Sequence, residues 1–300
     1  MSATATLFDV PGPRGRMRQR IAAGVLLVLA LALGAAVLWK LGEKGNLSPD
    51  KWAPFAGGVV WRSYILPGII NTLYAAAISI ALAAVLGLVL AFARMSSIAP
   101  VRWVATAFVE FFRAVPVLVM MLLSFWGYLA SGLVPSAYLS LAGVITGLTL
   151  YNSCILAELL RSGVHSLPRG QAEAGLSIGL TPGQTLRAIQ LPQALRAMLP
   201  ALVGQLVVIL KDTALGYQIL YPELLRQAER IGSAYYNIVP ALIVIAAIFI
   251  AINYGLTSFA HWLERRLTHR GRVAGGAMTA DPGAEDAMVP AAVDAGGAHR

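Results

Sequence analysis

Charge is scarce in this sequence. Only 12% of its 300 residues are charged and 58% are hydrophobic, where a soluble domain is about 25% charged. So few charges cannot cover a soluble fold, and composition points to a membrane protein. Cysteine is scarcer still. The single Cys154 excludes an intrachain disulfide and a cysteine-based zinc cluster. Its place in an apolar run makes it a small buried filler rather than a reactive thiol. The four histidines are scattered outside the apolar runs, with no metal-ligand spacing. Acidic residues are fewer than basic ones, 14 against 23, leaving a net charge of +9. The basic residues lie in gaps between apolar runs and form no stripe interleaved with aromatics, so nucleic acid is not the partner they indicate.

What the sequence does have is long apolar runs. A helix needs about 20 mostly apolar residues to cross the hydrocarbon. Six stretches qualify, at residues 21–39, 68–92, 114–130, 139–159, 195–216 and 238–260. With no water available to the backbone there, helices are the expected form. The predicted fold class is therefore an all-α integral membrane protein with about six transmembrane helices. The first run follows Arg14, Arg16, Arg18 and Arg20, as in a signal peptide. Its apolar core exceeds the usual length of about 7–15 residues, so it reads as a retained first span at 21–41. With the N-terminus inside, 15 of the 23 Lys and Arg fall on the inner side and six on the outer, which supports both termini being cytoplasmic. Residues 1–20 read as a cytoplasmic tail. Residues 266–300, where Gly, Ala and a few Asp and Glu supply no hydrophobic face, read as a second, disordered one.

Between spans four and five, residues 161–194 are predicted to face the cytoplasm and to fold. Pro168 suits the first turn of a helix. Gly179 suits a left-handed stop. Thr181, Pro182 and Gln184 then have the form of a helix restart with a capping box, and Pro192 is expected to end the second helix. The residues alone leave two roles open for this short helix–turn–helix: docking to another protein, or lying on the lipid surface.

The same stretch resembles the cytoplasmic loop of binding-protein-dependent ABC importer permeases, whose pattern is E-A-A, three residues, G, nine residues, I, one residue, L-P. Here stand Glu173-Ala174-Gly175, then Gly179, then Ile189-Gln190-Leu191-Pro192, with both spacings met. Gly175 replaces the family's usual alanine, which by helix propensity alone would loosen the helix by up to about 1 kcal/mol. The strings GIINTLYAAAISIALAAVLGLVLAFAR, FVEFFRAVPVLVMM, LRSGVHSLPRGQAEAG and LPQALRAMLPALVGQLVVILKDTAL are similar to the polar amino-acid branch of these permeases over residues 66–265. The opening LFDVPGPRGR and the extra first span resemble the glutamate-type permeases of actinobacteria.

The resemblance implies a type I ABC importer-like permease core at 66–265 that imports amino acids, glutamate or a related polar one. It implies two ATPase subunits that bind ATP and Mg, a second permease subunit that is a paralogue, and an extracytoplasmic solute-binding protein. This chain itself would bind no cofactor: Gly179-Leu-Thr-Pro-Gly-Gln-Thr lacks the lysine and glycine spacing of a phosphate loop. The resemblance makes residues 171–179 a coupling helix and 179–192 its brace. Gln171, Glu173, Ala174, Gly175, Gly179, Ile189, Leu191 and Pro192 are then the ATPase-coupling set, with Glu173 foremost. The rival readings are an ion-driven secondary carrier, which would show broken helices and paired repeats, and an intramembrane enzyme, for which no nucleophile–base set stands in the spans.

Ionisable residues within spans are functional candidates, because lipid exposure is costly to them. Glu110 and Arg113, three apart, are either a local ion pair or part of a translocation pathway. Lys211, Asp212 and Thr213 lie in span five. The first two point about 100° apart and are not expected to pair, so Lys211 is a candidate counter-ion for a carboxylate substrate. Glu158 reads as an interfacial charge, Asn71 and Asn152 as hydrogen bonds between helices, Gly143 and Gly147 as a close-packing string, and Pro116 and Pro200 as kinks.

Overall fold

A computed structural model describes residues 12–272, and among them every regular element is a helix. The predicted tails beyond, 1–11 and 273–300, lie outside the described residues.

The first helix, α1 (Pro13–Glu43), starts within the predicted tail of 1–20. Proline fits its first turn and the four arginines are good helix formers, so helix begins well before the apolar run does. Its apolar window is not buried against the chain anywhere. An all-round apolar helix with no protein cover suits a lipid-surrounded span. A short α2 (Pro49–Ala56) precedes one continuous rod: α3 (Gly58–Val60), a π turn (Trp61–Ile65) and α4 (Leu66–Arg94). The buried face of α4 is built from small residues, among them Gly68, Thr72, Ala75, Ser79, Ala83 and Gly87. This lets neighbouring backbones approach, as helices packing in lipid require.

The predicted third span at 114–130 is corrected. Here α5 (Ala99–Ala114) and α6 (Val117–Ser131) meet at 101°. Val115 is extended, with φ −84° and ψ 127°, because the ring of Pro116 disfavours helical backbone before it. The 15 residues of α6 reach only about 22 Å, less than the ~30 Å of a hydrocarbon core. The pair is one broken span or a re-entrant element, so five helices are long and apolar enough to cross, or six with the pair counted.

Next come α7 (Leu139–His165), α8 (Arg169–Ser177), α9 (Pro182–Thr185), a π turn (Leu186–Gln190) and α10 (Leu191–Asp212). Pro192 does not end a helix, as the sequence suggested. The missing N–H falls just after the wide π turn, where the helical hydrogen-bond pattern is already shifted, and α10 runs on. A 3₁₀ turn (Thr213–Ile219) leads to α11 (Leu224–Tyr235) and then α12 (Ile238–Arg272), which carries helix past the predicted tail boundary at 266.

The chain divides into two compact units. In the first, residues 12–158 and 205–254, one apolar core joins Val60 and Ile65 to Leu224, Ala228 and Ile231 of α11 and Ala241 and Ile245 of α12. Another joins Ala75, Met121, Val144, Leu148 and Ile209. Gly147 lies so close to α6 that a Cβ would come 2.8 Å from the Met121 backbone N, which accounts for the Gly143–Gly147 string. The second unit contains the loop of 161–194.

Candidate functional site

The loop of the second unit forms much as its residues dictate. Pro168 precedes α8 in extended backbone. Gly179 takes φ +86° and closes the helix, with its N–H on the Leu176 carbonyl at 3.0 Å and the Leu180 N–H on the Gly175 carbonyl at 3.2 Å. Thr181 and Gln184 form the capping box: the Thr181 N–H donates to Gln184 Oε1 at 2.9 Å, and the Gln184 N–H donates to Thr181 Oγ1 at 3.4 Å.

Tertiary contacts assign different tasks to the eight motif residues. Gly175 is buried where α8 crosses the start of the next helix. A Cβ there would stand 2.5 Å from Thr185 Cγ2, 2.8 Å from Thr185 Oγ1 and 3.1 Å from Ile189 Cδ1. The glycine therefore permits a close crossing, which helix propensity alone did not reveal. Gln171 accepts a hydrogen bond from Gln193 Nε2 at 2.8 Å, and Gln193 also donates to the Ile189 carbonyl at 3.0 Å. Gln171, Ile189 and Leu191 are half-buried against this brace. Glu173, Ala174, Gly179 and Pro192 are exposed, as are Leu176, Ser177 and Ile178, the last at 74%. Glu173, Ala174, Ser177 and Ile178 follow the i, i+1, i+4, i+5 spacing of one helix face. An acidic and apolar strip is thus held out from a braced helix. Thr185 and Gln193, which hold it, were not singled out by the sequence, because nothing local marks a crossing point.

In the first unit the Glu110–Arg113 pair belongs to a larger cluster. Arg94, at the end of α4, donates through Nη1 to Glu158 Oε2 at 2.5 Å and through Nη2 to Glu110 Oε1 at 3.0 Å. Arg113 stands 3.7 Å from Glu110 and 3.6 Å from Glu158. The Arg94 side chain is only 6% exposed, so its fork ties α4, α5 and α7 at one point. Two guanidiniums against two carboxylates are electrically balanced, the arrangement that offsets removal from water. Neither Arg94 nor the bridging role of Glu158 was anticipated. The available signal was spacing: Arg94 continues the buried stripe of Ala83, Gly87 and Leu90.

The three candidates near the end of α10 separate. Thr213 is buried and donates to the Leu210 carbonyl at 2.7 Å, so its hydroxyl is used within its own helix. Asp212 is half-buried, and no ion pair joins it to Lys211 among the described residues. Lys211 is exposed and lines a cavity of about 640 Å³, walled mainly by Leu225, Leu242, Ile245 and Phe249 with Asn253 as a second polar group. Asn152 and Asn71 act between elements as expected. Asn152 Oδ1 accepts from Gln205 Nε2 at 2.7 Å, and Asn71 Nδ2 donates to the Pro222 carbonyl at 3.0 Å. Cys154 is buried, and no metal-binding group of His, Cys, Asp or Glu occurs among the described residues.

Residues 83–269 match the family described as binding-protein-dependent transport system inner membrane component. The chain is 45% identical over 227 residues to the glutamate transport system permease protein GluD of Corynebacterium glutamicum, covering 76% of this chain and 83% of that protein. It is 34% identical over 209 residues to the glutamate/aspartate import permease protein GltK of Escherichia coli O157:H7, covering 68% and 93%. A solved structure titled as an amino acid ABC transporter with histidines superposes with a TM-score of 0.62 at 32% identity, covering 67% of this chain and 92% of that one.

Proposed function

This chain belongs to the family of binding-protein-dependent transport system inner membrane components, and from that membership we propose that it carries glutamate or a closely related polar amino acid into the cell. It is the multi-pass membrane permease subunit of an ABC importer, a transport subunit and not an enzyme, and its family works with ATPases and a solute-binding protein. The kinship to a glutamate permease at 45% identity supports the substrate, and so does Lys211, a cation on a cavity wall within a candidate span. A cation on the wall of an apolar cavity attracts a carboxylate more strongly than it would in bulk water.

The observation that carries the mechanism is the exposed strip of Glu173, Ala174, Ser177 and Ile178 on a helix braced from behind. In our reading residues 171–179 are the coupling helix, seated on a partner ATPase, and 179–192 are its brace. Two ATPases close on ATP and Mg, drive this helix toward its counterpart on a second, paralogous permease, and rock the spans from inward- to outward-open. A rigid handle transmits such a push, whereas a loose loop would absorb it. Nucleotide belongs to the partners. The glycine string at 179–185 follows a helix, contains no lysine and folds as a capped helix start. The bias of Lys and Arg toward one side of the spans supports cytoplasmic termini and a cytoplasmic 161–194 loop.

Charge reversal tests the handle. Glu173→Lys is expected to abolish ATP-driven uptake and release the ATPase on purification, while the permease remains in the membrane. Uptake and ATPase association at the parental level would refute the assignment.

A further inference from the structure

We propose that the concave face between α11 and the π turn Trp61–Ile65 receives an acidic side chain of the extracytoplasmic solute-binding protein. The proposal deepens the importer reading and rests on it.

The face is an open basin of about 710 Å³ lined by Ser63, Tyr64, Arg226, Glu229, Arg230 and Ser233. It holds two guanidiniums against one carboxylate. Arg226 is engaged, paired with Glu229 and lying over the Tyr217 ring at 5.6 Å. Arg230 is exposed, with no acidic partner among the described residues. A spare guanidinium beside three hydroxyl-bearing side chains is a set of donors in search of a carboxylate. A small-molecule pocket is largely apolar and enclosing, and this basin is polar and open. It therefore suits a side chain presented by a protein.

The platform is also built to hold its shape. Its α11 wall lies between the candidate spans that end at Ile219 and resume at Ile238, and its Ser63–Tyr64 wall is at the first turns of the candidate span Gly58–Arg94. The Leu224 N–H donates to Thr72 Oγ1 at 3.2 Å, and the Tyr221 hydroxyl donates to the Asn71 carbonyl at 2.8 Å. Lys51 Nζ donates to the Tyr236 carbonyl at 2.5 Å, and Asn237 Nδ2 donates back to the Lys51 carbonyl at 2.8 Å. Four tethers to two other segments fix the α11 surface before any partner arrives, which lowers the ordering cost of docking.

The test uses the complete transporter in vesicles with its binding protein. Arg230→Glu is expected to raise the binding-protein concentration that half-saturates stimulated ATP hydrolysis by about tenfold, and to weaken its salt dependence. Ser233→Asp, which adds a charge to the same basin and removes none, is expected to act in the same direction. Unchanged half-saturation in both variants overturns the proposal. So does an effect of Arg230→Glu that appears without binding protein in phosphatidylglycerol vesicles and vanishes in neutral ones, since the basin would then meet lipid. Ser233→Cys in intact cells separates this from the reading beneath it. Labelling by an impermeant thiol reagent leaves the outward topology standing even if docking fails, and absence of labelling refutes the topology itself.

Discussion

Restoring the family's usual alanine at position 175 is expected to damage this protein, although alanine is the better helix former by up to about 1 kcal/mol. The crossing of α8 leaves no room for the added methyl, which would lie 2.5 Å from Thr185 Cγ2 and 2.8 Å from Thr185 Oγ1. Threonine is β-branched and stiff at χ1, so its side chain cannot swing aside cheaply. Overpacking of this kind costs about 1–3 kcal/mol, so the net effect is a loss on the order of 1–2 kcal/mol after the propensity gain. Thr185→Ala should relieve it. That change also removes a buried hydroxyl with no hydrogen-bond partner, itself a liability. Gly175→Ala with Thr185→Ala should then equal or exceed the parent, giving a coupling term in a double-mutant cycle of about 1–3 kcal/mol. Amide hydrogen exchange of α8 in the lipid-reconstituted complex reads the stability, and ATP-driven uptake reads the consequence. If Gly175→Ala alone exchanges as slowly as the parent, or if the double variant is no better than Gly175→Ala, the crossing does not explain the glycine.

Three other changes test the rest of the structure. Arg94→Met takes the forked guanidinium away from Glu110 and Glu158 and is expected to cost about 2–4 kcal/mol; Arg94→Lys should not rescue it, because an ammonium cannot fork to two carboxylates, and an unchanged melting temperature of the reconstituted complex would refute the cluster's role. Glu223, buried at the start of α11 although it accepts N–H bonds from Leu225 and Arg226 at 2.7 Å each, has its carboxyl pushed up to about 7 by burial. The folded state therefore holds a proton that the unfolded state has released, and stability falls as pH rises from the ordinary carboxylate range to about 7. Exchange of α11 amides, corrected for intrinsic rates, should quicken over that window in the parent and stay flat in Glu223→Gln. Lys211→Met should depress uptake of acidic amino acids more than that of neutral ones, and equal rates and selectivity would remove Lys211 from the pathway.

Much of the architecture was legible because its causes are local. Apolar run length set the spans, and proline, glycine and capping residues set the turns at Pro168, Gly179 and Thr181. The start of the third span was misplaced because the backbone breaks at Val115–Pro116, ahead of α6, and run length does not reveal a bend whose direction depends on what packs around it.

Within the motif, spacing identified the eight residues and could not divide them. Which face of α8 points out depends on Thr185, Ile189 and Gln193, up to 22 positions away in the chain. The same holds for charge. Three residues apart on one helix made Glu110 and Arg113 neighbours by geometry alone, whereas Arg94 and Glu158 lie 64 residues apart and are joined only when α4 packs on α7. By itself the sequence determined that the long apolar segments are helical, where the 161–194 loop turns and what family motif it carries, since dihedral preferences and hydropathy act over a few residues. Only the tertiary structure decided which charges share a site, why residue 175 is glycine and which side chains remain exposed, because desolvation and steric exclusion belong to pairs of surfaces that meet only on folding.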